Sequence, residues 1–199
     1  MTPMKPIPMG SIREGGWIAA AMLLLGACTT PAMKPAAPVY DAAAIVQAIR
    51  AAGTSASSEL EVHPLRDPQV EDLRQQAVQL EARHMYRGAA ELLDRALQLN
   101  ASDPALLQER AELAFLLQEP AQAQQLAKQA IDLGSTTGPL CRRHWETQLQ
   151  AALLRANDRV VRRGESTAQA SARVAAAAAG VRGARTQRDA CTVAAPSRF

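Results

Sequence analysis

The sequence predicts an all-α protein, a short solenoid of helical hairpins made of two repeats plus a capping helix and flanked by flexible segments. Three observations carry this expectation. When the stretch from Asp67 to Gly134 is laid on itself with an offset of about 34 residues, Ala77, Ala89 and Ala96 fall on Ala111, Ala123 and Ala130. Nowhere do β-branched and aromatic residues alternate over a sustained run, whereas Ala, Leu, Gln and Arg, all good helix formers, dominate. Finally, Asp67-Pro68 and Asp103-Pro104 each set an N-cap acceptor before a proline whose fixed φ suits the first helical position. Apolar residues reach 48%, but with only two each of Trp, Tyr and Phe the core must be built from Leu and Ala.

Residues 1–27 read as an export signal. Lys5 and Arg13 precede an apolar run from Trp17 to Leu25 that is too short to span a bilayer but fits the apolar region of a secretory signal. The run ends in Leu25-Gly26-Ala27-Cys28, which resembles the lipobox of bacterial lipoproteins. That resemblance implies cleavage before Cys28, diacylglycerol on its sulfur and acylation of the new amino terminus, a multi-chain anchor that holds stably to a membrane. Thr29 stands where the family's inner-membrane retention signal would be an aspartate, so the resemblance implies the outer membrane, facing the periplasm.

Residues 28–66 carry the lipidated cysteine, a proline-rich tether through Pro38 and a short helix. Asp41 is its cap and Gly53 its stop; Ile45, Ala48, Ile49 and Ala52 form one apolar face. The stretch Thr54 to Leu65 returns to loop composition. Terminal repeats leave an apolar face open, so this helix is a candidate cover for that face, and a homodimer contact is the rival use.

Residues 67–163 hold the repeats and the capping helix. Leu73, Gln76, Ala77 and Leu80, then Ala89 and Leu93, are answered in the second copy by Leu107, Arg110, Ala111 and Ala114, then Ala123 and Ala127. This pattern resembles the tetratricopeptide repeat, with aliphatic residues or alanine at its aromatic positions and Ala101 or Ser135 in place of its late proline. The resemblance implies a concave face lined by the first helix of each repeat. The matching positions are Arg74, Gln75, Val78, Gln108, Glu112 and Phe115, with Arg142 from the capping helix, and the face would bind a protein or peptide segment. The hairpin turns are expected near Met85-Tyr86-Arg87 and Gln118-Glu119, with Pro120 opening the next helix and Gly134 ending it. In the capping helix, begun by Gly138-Pro139, Trp145 takes the place of the small residue. Trp145, Leu149, Ala152 and Leu153 are expected inward, and Arg142, Arg143, Glu146 and Arg155 outward.

Residues 164–199 form an alanine- and arginine-rich tail, expected to be a frayed helix followed by disorder, because an isolated alanine helix is marginal in water. From Thr29 to Leu140 there are 9 Lys or Arg against 14 Asp or Glu, and from Cys141 to Phe199 there are 11 against 4, so an acidic body carries a basic tail. Such a tail could meet anionic lipid, lipopolysaccharide phosphate or an acidic partner, dock on its own repeats, or stay solvated. Nucleic acid is disfavoured by the export signal and by the lack of aromatic residues among the arginines.

In an oxidising compartment the two remaining thiols are expected to pair as a Cys141-Cys191 disulfide, folding the tail back over Trp145; the alternative is a buried filler and a free thiol. His63, His84 and His144 form no triad or zinc pattern. Cys141 and His144 stand one helical turn apart, but two ligands are too few for a site, so no catalytic residue, metal or cofactor is expected. The resulting expectation is a non-enzymatic, lipid-anchored, periplasm-facing scaffold for a protein partner in secretion, pilus or outer-membrane assembly. The alternative is a structural envelope protein whose basic tail binds cell-wall or lipopolysaccharide anions.

Overall fold

Helix starts stand where their caps put them. Asp41 accepts from the Ala44 N–H, Asp67 from that of Gln69, and Asp103 from those of Ala105 and Leu106. Each side chain thereby satisfies donors that a helix cannot satisfy internally, and Pro68 and Pro104 follow at first-turn positions where no N–H is needed. The computed structural model describes residues 40–54 and 65–192, which form seven helices and no strand. They are α1 (Ala42–Ala52), α2 (Pro68–Ala82), α3 (Tyr86–Leu99), α4 (Pro104–Leu116), α5 (Pro120–Asp132), α6 (Gly138–Asn157) and α7 (Thr167–Ala190). The chain divides into two units, Met1–Pro35 and Ala36–Phe199, and every described residue belongs to the second. The signal segment, Cys28, the tether through Val39, His63 and the residues after Thr192 lie outside the described residues.

Each helix packs on the next from α2 through α7, while α1 lies against α4 and α6. The six aligned alanines are all buried, at 0 to 2% exposure, as close helix approach requires of small side chains. The first two hairpins turn through the same device. His84 and Gln118, one repeat apart, take left-handed φ values of 59° and 63° just past α2 and α4. The next amide reaches back in each case, Met85 N to Leu80 O at 2.9 Å and Glu119 N to Ala114 O at 2.8 Å, satisfying late helical carbonyls.

Three expectations are corrected. The helix after Asp41 forms between its predicted cap and stop, but it does not cover an outer face of the repeats; it lies between α4 and α6, because its buried Val46 and Ile49 pack with Phe115, Ala114 and Ala151. Between Gly164 and Thr192 the chain is not a frayed helix. Ser166 caps α7 in a reciprocal capping box with Gln169, Ala170, Ala177 and Ala184 recur every seventh residue as its buried seam, and α7 runs for 24 residues against α6. Arg143 and Glu146 also turn inward on α6, since Glu112 on α4 and Arg188 on α7 stand opposite them, with Arg188 Nη1 2.6 Å from Glu146 Oε2. Cys141 and Cys191 meet at disulfide distance, their Cα atoms 5.7 Å apart, which pins the end of α7 to the start of α6.

Candidate functional site

Helix α1 is seated on α4 and α6, and α2 joins α4 in lining the space beside it. Val46 and Ile49 are three residues apart and therefore share a side of α1. They enter the space between α4 and α6 beside Phe115, which is fully buried. Tyr40, just before α1, sets its ring edge-on to that of Phe115 with centroids 6.2 Å apart and donates its hydroxyl to the Phe115 carbonyl at 3.1 Å. Burial, together with the nearby Glu119 carboxylate, pushes the Tyr40 phenol up to about 12. The other end of α1 is held by Arg142, whose Nε donates to Ala52 O at 2.9 Å and whose Nη2 donates to Thr54 O at 3.3 Å.

A polar layer lies beneath. The Glu112 side chain is fully buried and accepts from Arg50 Nε at 2.8 Å, Arg143 Nε at 3.1 Å and Gln108 Nε2 at 2.9 Å, with Arg143 Nη2 also bonded to it. Such pairing is what lets a carboxylate remain out of water. The other Gln108 bonds fix a tautomer: its Nε2 donates to Glu112 and Thr147, so its Oε1 must accept, and His144 Nδ1 at 2.8 Å carries the proton. His144 is fully buried and its Nε2 has no hydrogen-bond partner. Burial, reinforced by the Arg143 charge, pushes the imidazole down to about 3, so it is neutral through the physiological range.

Beside the C-terminal end of α1 the face stays open as a cleft of about 780 Å³. Ala77, Leu93 and Leu113 give it apolar lining, Val78, Glu81 and Glu109 line it from α2 and α4, and Arg50 and Arg143 border it toward Glu112. Val78 is 49% exposed there, and Arg50 Nη2 meets Glu81 Oε1 at 2.7 Å. Burial raises the Glu109 carboxyl above the ordinary range, helped by Glu112 and opposed by Arg74 and Arg143. The cleft thus offers an apolar surface with charges of both signs at its edge, the chemistry that holds an amphipathic peptide.

The residues expected on a concave binding face separate into two groups. Gln108, Glu112 and Phe115 are fully buried under α1 and α6, and of the three Glu112 reaches the wall of the cleft. Val78 lines the cleft, and Arg74, bonded to Glu71 at 3.1 Å and facing Glu109 at 3.5 Å, is beside it. Gln75 is exposed and donates to Glu71 Oε1 at 3.1 Å, while Arg142 is spent on the end of α1. Sequence reasoning missed Arg50, Glu81, Glu109 and Arg143. The available signal was Glu109 and Glu112, three apart on one helix side, facing a basic residue in the last turn of a short amphipathic helix. Cys141 and His144 serve different partners, and among the described residues no group of three His, Cys, Asp or Glu is placed to hold a metal. No family model matches this chain, and no curated protein matches it.

Proposed function

We propose that this chain is a lipid-anchored scaffold at the bacterial outer membrane, facing the periplasm, whose tetratricopeptide-like hairpins hold a segment of a protein partner during envelope assembly. The lipobox at Leu25–Cys28 supports the anchor, and the repeat-spaced alanines and the paired turns at His84 and Gln118 support the repeat reading. One observation carries the binding role. The face of α4 and α6 already accommodates an amphipathic helix, α1, through an apolar pair and an arginine on a buried carboxylate, and past that helix it opens toward α2 as a cleft. A partner segment with an apolar side and a basic residue for Glu81 or Glu109 would extend the same mode of packing.

Affinity capture from solubilised envelopes, with the full lipidated chain and with Val78→Asp, tests this. Val78 is half exposed, so the substitution leaves the fold intact while putting a charge into the cleft. The expected result is loss of one specific co-purifying protein; unchanged capture removes the cleft from the account.

A further inference from the structure

The connection between α6 and α7 holds two adjacent valines out in solvent, Val160 at 71% and Val161 at 48% exposure. Their position is fixed by Arg173 on α7, which donates to Val160 O at 2.9 Å, to Asp158 O at 3.0 Å and to Glu165 Oε1 at 3.0 Å. The loop closes further through Glu165 N to Arg162 O at 2.9 Å and Val160 N to Asp158 Oδ1 at 3.2 Å. Single exposed apolar side chains are ordinary, but here a guanidinium and two carboxylates hold an apolar pair outward. Arg162 and Arg173 neutralise Asp158 and Glu165, whereas the flanking Arg159 and Arg163 are exposed and pair with no described residue. The loop therefore presents two valines between two uncompensated cations.

The loop also lies at the end of the helical body where the described chain begins. Gln108 on α4 meets His144 and Thr147 on α6, while Ala114 and Phe115 share a cluster with Ala151 further along, so α4 and α6 run parallel toward the same end. Tyr40, where the described chain begins, packs at that end with Leu116 and Leu154, and Gln118 Nε2 donates to its carbonyl at 3.3 Å. The loop starts directly after α6 at the same end.

We infer that the Arg159–Arg163 loop is a membrane contact, docking on anionic phospholipid headgroups with Val160 and Val161 at the acyl boundary and so orienting the helical body on the bilayer. Headgroup binding does not rest on the lipoprotein reading. Guanidinium groups near an anionic leaflet add attraction, and apolar side chains add burial at the interface.

The test is flotation of residues Ala36–Phe199, the unit that contains every described helix and lacks Cys28, with its helix content checked by circular dichroism. The probes are vesicles of phosphatidylglycerol with phosphatidylethanolamine, vesicles of phosphatidylcholine, and lipopolysaccharide micelles. Binding is expected to the first and to weaken with added salt. It should weaken about fivefold for Arg159→Gln or Arg163→Gln and about thirtyfold for both together, and fall further with Val160→Ser and Val161→Ser. Equal binding to phosphatidylcholine, binding to lipopolysaccharide alone, undiminished binding by the variants, or no binding would each overturn the inference. None of these results bears on lipidation, which mass spectrometry of Cys28 decides separately.

Discussion

Arg50 of α1 places its Nε 2.8 Å from Oε2 of the fully buried Glu112 on α4, joining residues 62 apart in sequence. Arg143 of α6 closes on the other carboxylate oxygen, so three helices share one buried charge. Removing one partner of a buried pair is costly because the remaining charge stays out of water. Arg143→Ala is expected to destabilise the protein by about 2 to 3 kcal/mol, somewhat below the ~3–5 kcal/mol of a fully broken pair because Arg50 remains. Urea unfolding of the variant reads the loss.

The apolar half of the α1 seat is tested by Ile49→Ala and Phe115→Ala, both at fully buried positions. Losses of about 2–5 kcal/mol and about 3–5 kcal/mol are expected from the transfer and cavity contributions. Hydrogen exchange should show α1 losing protection first in Ile49→Ala, with α2 to α7 retained. Uniform loss of protection would mean that α1 is no separate occupant of the face.

Much of the architecture was legible because it is encoded locally. The caps Asp41, Asp67 and Asp103 and the stops near Gly53 and Gly134 act within one helical turn, and the repeat spacing of the alanines is a property of the sequence alone. The left-handed turns at His84 and Gln118 were illegible since neither residue is glycine. Burial of Gln108, Glu112 and Phe115 was illegible for a different reason. Their cover is α6 together with α1, which comes from far upstream, and no local pattern tells which face of α4 these helices will choose. α7 was misread although Ser166 and Gln169 announce a capping box, because the stability of an alanine-rich helix comes from its seam on α6 rather than from its own propensity.

Acid sensitivity follows from His144. Its pKa is about 3 in the folded protein against 6.5 as the ordinary value. The contribution is fully present above the unfolded value and is lost as pH falls toward the folded one, because in that window the unfolded chain binds a proton the folded chain refuses. The expected slope from this residue is about 1.4 kcal/mol per pH unit. His144→Asn retains a donor for Gln108 and should flatten the urea-midpoint profile between those two values; an unchanged slope would assign the acid sensitivity to other groups.

The Cys141 and Cys191 pair closes a loop with a sequence separation of 50. Cys141→Ser with Cys191→Ser is expected to cost up to about 4 kcal/mol on the loop-entropy model, and to loosen the C-terminal turns of α7 first. Non-reducing peptide mapping of exported protein should recover the pair joined; two free thiols would contradict this.

Gly183 lies inside α7 with nothing within 4 Å of an added Cβ. Gly183→Ala is therefore expected to stabilise the protein by about 0.4 to 1 kcal/mol through helix propensity and unfolded-chain entropy. A higher thermal midpoint with unchanged helix content checks it.

The proposal that the cleft beside α1 receives a partner segment is tested most directly by site-specific photocrosslinking in intact cells. A photoreactive residue replaces Val78 inside the cleft or, as a control, Leu133, which is 46% exposed past the end of α5. One discrete protein adduct is expected from position 78, absent from position 133 and abolished when Glu81→Lys and Glu109→Lys are introduced together. The same adducts from both positions, or an adduct at position 78 that survives the charge reversal, would contradict it.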